Sequence, residues 1–141
     1  MNPIVVPLVT SAVAAAALRL FKWLPSFGSV AESMQFGGSI ASIAVTMLGF
    51  MLAALAVLAS INHTHLVSMM KRTGHYSDLL RSFFIGASMF LFCAVFGYAL
   101  LFGAPTRTSF LAIGLGIHIG AFVVLLDCGR KFWLVLTNLR S

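Results

Sequence analysis

Residues 39–60 read SIASIAVTMLGFMLAALAVLAS and hold no charged side chain. At roughly 1.5 Å per residue such a helix reaches about 33 Å, enough to cross the ~30 Å hydrocarbon core of a bilayer. Within it Ser39, Ser42, Thr46, Gly49, Ala53, Ala56 and Ser60 step by three, four, three, four, three and four. Steps averaging about 3.5 hold one face toward a neighbour in a left-handed helix crossing. Lipid supplies no hydrophobic drive for helices to associate. Close approach over small residues, with weak Ser and Thr hydrogen bonds, takes its place. The stripe is therefore read as a seam. It packs either on another span of the same chain or between copies, where it can also wall a pore. A pore lined by Ser, Thr, Gly and Ala would be narrow and weakly selective, and its hydroxyls would let it wet.

The rest of the chain shares this solvent. Of 141 residues, 60% are hydrophobic and 9% are charged, and the mean hydropathy is +1.04. A soluble domain carries about 25% charged residues and could not bury this much apolar surface at this length. The expected fold is an all-α integral membrane protein, a bundle of four transmembrane helices in one domain over residues 1–141. The predicted spans are 4–21, 39–61, 83–103 and 110–126. No long run of alternating residues points to a barrel, and lipid leaves backbone amides no partner except their own helix. The first run is the weakest, because it is Ala-rich, interrupted by Pro7 and followed closely by Arg19. It spans, or else it is interfacial or re-entrant. Its opening, MNPIVVP, lacks the charged region that begins a signal peptide.

Lys and Arg set the orientation. Four spans put both ends on one side, together with Lys71, Arg72, Arg81, Arg130, Lys131 and Arg140. The other side holds Arg19, Lys22 and Arg107. Six against three places both termini, the 62–82 loop and the 127–141 tail in the cytoplasm. Lys71, Arg72, Arg81, Arg130 and Lys131 are then expected to meet anionic lipid head groups or a soluble partner. Direct nucleic-acid binding is not expected, for want of a folded basic surface. In the loop, Leu66, Val67, Met69 and Met70 precede Lys71 and Arg72, which suits an amphipathic segment at the lipid surface. Ser77 is placed to cap the third helix.

The third and fourth spans also carry small residues. Gly86 and Gly97 share a face with Ser82 and Cys93, and Gly116 and Gly120 form a GxxxG pair. All four glycines are read as helix-packing positions. His118 lies near mid-span, where an ionisable group is costly. It is either a structural histidine bonded to a hydroxyl on a neighbouring helix or a pH-sensing, ion-path residue. Asp127 precedes Arg130 and Lys131 by three and four residues, the spacing of a local ion pair. Cys93 and Cys128 sit at different depths and read as small apolar fillers.

Catalysis is not expected. The chain has no P-loop, no dinucleotide turn and no HExxH, and its three carboxylates are scattered. His63, His65, His75 and Asp78 match no common zinc spacing, so no metal or other cofactor is predicted. Small four-helix multidrug exporters are similar in size, but they carry a membrane-embedded Glu in their first span, where this chain has only Arg19.

Four stretches, LFKWLPSFGS (20–29), SIAVTMLGFMLAALAVLAS (42–60), KRTGHYSDLL (71–80) and LAIGLGIHIGAFVVLL (111–126), together resemble the small membrane component of the lambda-type Rex phage-exclusion system. The likeness runs from about Leu18 to Asn138 and lies in layout and local pattern. It implies a gated, oligomeric channel of the bacterial inner membrane. A cytoplasmic DNA-binding sensor opens it on phage entry, and the membrane potential collapses. The alternatives are a non-conducting anchor that recruits a soluble partner through the 62–82 loop, and a transporter or proton-coupled carrier subunit.

Overall fold

Ser29 starts one of the two longest helices by accepting the Glu32 amide on its hydroxyl at 3.3 Å, while the Glu32 carboxylate reaches back to the Gly28 amide at 2.7 Å. This capping arrangement satisfies two donors that a helix start would otherwise leave bare. It sets the helix going at Val30, nine residues before the apolar run read as a span. The computed structural model describes residues 5–22, 24–61, 67–68, 74–103 and 108–138. Four long elements appear among them, α1 (Val5–Leu20), α2 (Val30–Ser60), α3 (His75–Leu101) and α4 (Thr108–Asn138).

Three of these, α2, α3 and α4, are long and apolar enough to cross a membrane. At about 1.5 Å per residue they reach roughly 40–46 Å, beyond the ~30 Å hydrocarbon core. α1 has 16 residues, or about 24 Å, and is the short apolar member. Large side chains such as Val13, Phe50, Phe92 and Leu126 are exposed on the outer faces of all four helices, a surface suited to lipid and ill-suited to water.

The helices stand in the spatial order α2, α3, α4, α1. α3 packs on α2 and on α4, and α1 covers α4. Two seams in this row are built on glycine. A Cβ on Gly37 would stand 2.7 Å from the Gly97 carbonyl oxygen, and a Cβ on Gly97 would stand 2.6 Å from the Ala41 amide nitrogen. The α2 and α3 backbones therefore touch directly. On the far side, a Cβ on Gly116 would stand 2.7 Å from the Ser11 carbonyl oxygen, and one on Gly120 would stand 3.2 Å from that of Pro7. Ala15 completes this face of α1 beneath Gly116. Pro7, Ser11 and Ala15 recur every four residues, so α1 offers its own small-residue ridge to the GxxxG pair.

The α3–α4 seam is built the opposite way, from bulk. Phe83 meets Phe132, Phe90 meets Phe122 and Phe96 meets Phe110, with ring centroids 6.1, 5.9 and 4.9 Å apart. Tilted and edge-on rings of this kind add about 0.5–1.5 kcal/mol each beyond their area. Gly86 makes room for Met51 of α2 and Val124 of α4 to meet over α3. The core gathers there, with Phe90, Met51, Leu58, Cys93 and Cys128 almost fully enclosed. Both cysteines are free.

Several boundaries differ from the sequence reading. Ser77 does not cap α3: the helix begins at His75 behind Gly74, whose left-handed backbone (φ 79°) turns the chain in. The residues read as a tail from 127 continue α4 as helix to Asn138. Gly103, again left-handed (φ 81°), ends α3 by donating its amide to the Leu100 carbonyl. Of the amphipathic loop segment, only Val67 and Ser68 are described, as helix with Val67 buried. Leu66, Met69, Met70, Lys71 and Arg72 lie outside the described residues.

Glycine contact with fixed backbone gives a direct test. Gly97→Leu meets main-chain atoms that no rotamer change can move aside. It should cost at least the ~1–3 kcal/mol of ordinary overpacking. Gly49→Leu, with nothing within 4 Å of its Cβ position, should leave fold stability within about 0.5 kcal/mol. Unfolding of both variants in mixed detergent–SDS micelles measures the difference, and similar losses would refute the assigned seam.

Candidate functional site

The α2 stripe faces outward. Ser39, Ser42, Thr46, Gly49, Ala53, Ala56 and Ser60 are all exposed. The expectation that the stripe packs on another span of the same chain is therefore corrected. The face turned to α3 is instead Gly37, Ala41, Ala44, Met51 and Leu58. That face follows the same 3.5-residue period but lies one to two residues out of phase with the stripe, on average roughly 165° around the helix at about 100° per residue. α2 also ends the row, so no described helix of the chain lies over its outer side.

The stripe's hydroxyls are quiet donors. Ser39 donates to the Gln35 carbonyl at 3.0 Å, Thr46 to Ser42 at 2.8 Å and Ser60 to Val57 at 2.8 Å. These three hydroxyl hydrogens are used within the helix, while their oxygens keep accepting capacity on the surface. The result is a smooth ridge without charge, able to sit against lipid, a second helix or a thin file of water.

His118 lies on α4, half-buried, on the side away from the Gly116–Gly120 seam. Its ring meets Phe122 edge-on at 5.2 Å, and Phe122 in turn meets Phe90. The buried Nδ1 has no hydrogen-bond partner, so the expected bond to a neighbouring hydroxyl is not made among the described residues. The only other such buried side-chain atom among them is Ser11 Oγ, enclosed in the α1–α4 seam against Gly120. α3 separates His118 from the α2 stripe. One chain does not bring the two candidate features together.

The other positions divide clearly. Gly97, Gly116 and Gly120 lie in helix seams, and Gly86 lies under Met51 and Val124. Arg81 is exposed. Asp127 binds both Arg130, at 3.3 Å, and Lys131. The Lys131 ammonium also donates to Ser82 of α3 at 3.1 Å, and Ser82 donates to the Asp78 carbonyl at 2.9 Å. This chain of contacts ties the α3 start to the late part of α4. Among the described residues no three His, Cys, Asp or Glu side chains gather as metal ligands. His63 and His65 lie outside them.

Sequence reasoning missed Gly37, Ala41, Ser11 and Ala15 as seam residues, and it missed the Lys131–Ser82 tie. A signal existed for some of them: Gly37 and Ala41 are four apart, as are Ser11 and Ala15. The Lys131–Ser82 contact joins residues 49 apart and has no local signature. No protein-family model, curated protein or solved structure matches the chain. What the residues and the fold define, among the described residues, is a helical architecture with three apolar helices of membrane-crossing length.

The orphaned imidazole yields a prediction with two readouts. A buried polar atom without a partner costs about 1–3 kcal/mol, and an apolar group of similar shape removes that cost. His118→Phe should therefore leave the stability of the single chain unchanged or higher in SDS unfolding. If Nδ1 finds its partner on a second copy, the same variant weakens self-association in analytical ultracentrifugation.

Proposed function

We propose that the chain forms an oligomeric, gated channel that depolarises the bacterial inner membrane in antiphage defence, opened by a cytoplasmic sensor protein. The observation that carries the reading is the open α2 face. A 22-residue ridge of small side chains, the pattern membrane helices use to approach one another, is left exposed by the intramolecular packing. A second copy of α2 fits such a ridge closely. Several copies arranged around it would enclose a narrow path walled by hydroxyl oxygens and methyl groups. Such a wall holds no ring of charge and selects weakly among ions, which suits dissipating a potential better than transporting one solute. The resemblance to the Rex membrane component supplies the antiphage setting. The same resemblance implies that the signal for opening comes from another protein, a cytoplasmic sensor.

The competing reading is a non-conducting scaffold that recruits the same kind of partner through the 62–82 loop. The internal bonding of three of the four stripe hydroxyls favours it, since a ridge whose donors are mostly satisfied packs against protein or lipid without water. Flux separates the two. Purified protein in liposomes, with the cytoplasmic partner added, should leak ions. Gly49→Leu should abolish both the leak and the oligomer while the chain still folds. Phe84→Leu, on the outer face of α3, should change neither by more than about twofold. An oligomer that never leaks under any condition would establish the scaffold.

Topology is tested separately. The six-to-three bias of Lys and Arg puts both termini and the 62–82 loop in the cytoplasm. Reporter fusions after residue 141 and within the loop should both read as cytoplasmic. A periplasmic carboxyl terminus would remove the four-span arrangement, with α1 then lying at the interface.

A further inference from the structure

α1 is shorter than the helix it covers. Its carboxyl end is pinned to the start of α4 by Arg19, which donates to the Ser109 hydroxyl at 2.8 Å. Its amino-terminal turn lies beside Val123 and Val124, while α4 runs on to Asn138. The step between the two helices leaves a groove of about 420 Å³ among α1, α3 and α4, within the ~300–1,000 Å³ of small-molecule sites. Its floor is apolar, formed by Val6, Pro7, Ile85 and Val123. Asp127, Arg130 and Lys131 line it as well, at the same end of the molecule as exposed Arg81.

We propose that this groove binds one anionic phospholipid, its phosphodiester held by Lys131 and Arg130 and an acyl chain laid along the Val6–Val123 floor. Donor counting supports the head-group half. An ammonium has three N–H donors; Lys131 directs its nitrogen at Asp127 and Ser82, which leaves one N–H for a phosphate oxygen. A guanidinium has five, and Arg130 commits one nitrogen to Asp127 at 3.3 Å. Its side chain is 75% exposed, so the remaining donors are accessible. Two cations against one carboxylate leave the trio with one net positive charge. Asp127 also holds both cations at the groove, which reduces the ordering that an incoming phosphate would otherwise have to impose. The apolar floor supports the tail. A soluble phosphate would gain nothing from it, and an acidic peptide would have to bury polar backbone against it.

The site rests on the membrane reading but not on conduction. Purified protein in neutral detergent is titrated with dioleoyl phosphatidylglycerol or dioleoyl phosphatidylcholine and read by native mass spectrometry. Phosphatidylglycerol should bind one per chain and more tightly. Arg130→Gln and Lys131→Gln should each weaken it by about fivefold, the effect of one basic residue near an anionic lipid. Lys22→Gln, at the far end of the molecule, should leave it unchanged. Val123→Trp keeps every charge and fills the floor, and should abolish the one-per-chain binding. If Lys131→Gln impairs folding, the exposed Arg130→Gln carries the charge test alone. Equal binding of the two lipids, equal losses from Lys22→Gln and Arg130→Gln, or full displacement by millimolar inorganic phosphate would overturn the proposal. Carbonate extraction of the same variants reports membrane insertion separately, so a failed lipid site and a failed membrane reading are distinguishable.

Discussion

Backbone contact at Gly97 is the constraint on which the other packing depends. In lipid, two apolar helices gain nothing by hiding from solvent, so their association rests on dispersion and weak polar contacts at short range. With only hydrogen on Gly37 and Gly97, the α2 and α3 main chains lie in direct contact. That contact fixes the rotation of α2 about its own axis. Once Gly37 and Ala41 face α3, Ala44, Met51 and Leu58 must follow on the same side, and Met51 reaches Gly86 and Val124. The position of one glycine thereby decides which face of α2 is used within the chain and which remains open.

The row uses two kinds of seam for two purposes. Glycine seams at its outer joints bring α2 onto α3 and α1 onto α4 with backbone precision. The central joint is spaced by three aromatic pairs, which hold α3 and α4 apart by the width of a ring. Ring pairs tolerate small shifts in offset and tilt better than backbone contacts do. A relative movement of helices within the chain would accordingly be easier between α3 and α4 than at either glycine joint. His118 lies at this central joint through Phe122 and Phe90.

Polar chemistry is kept to the helix ends. Arg19 and Ser109 join α1 to α4 at one end, and Asp127, Lys131 and Ser82 join α4 to α3 at the other. Between them, among the described residues, the buried and half-buried polar groups are a few Ser and Cys side chains with Thr10 and His118. A continuous aqueous path does not arise inside one chain from such a distribution, because a file of water needs polar partners along its length. On the proposed channel reading, the conducting path therefore runs between copies, where the open faces of α2 would meet.

By itself the sequence determined the solvent and the class of element. A chain with 60% hydrophobic and 9% charged residues in long unbroken runs leaves helices in lipid as its stable form. Its glycine pattern also marked Gly97, Gly116 and Gly120, because small residues four apart matter only where helices touch. It could not choose between the two faces of α2. The Ser39–Ser60 stripe and the Gly37–Leu58 face have the same period and differ only in phase. Phase carries meaning only relative to a neighbour, and α3 is that neighbour. Helix ends were equally out of reach of hydropathy, since capping at Ser29 and the left-handed turn at Gly74 depend on hydrogen bonds and backbone angles, not on apolar content. The groove beside Lys131 follows from a difference in length between α1 and α4 and from a contact between residues 49 apart. Both exist only once the helices are set side by side.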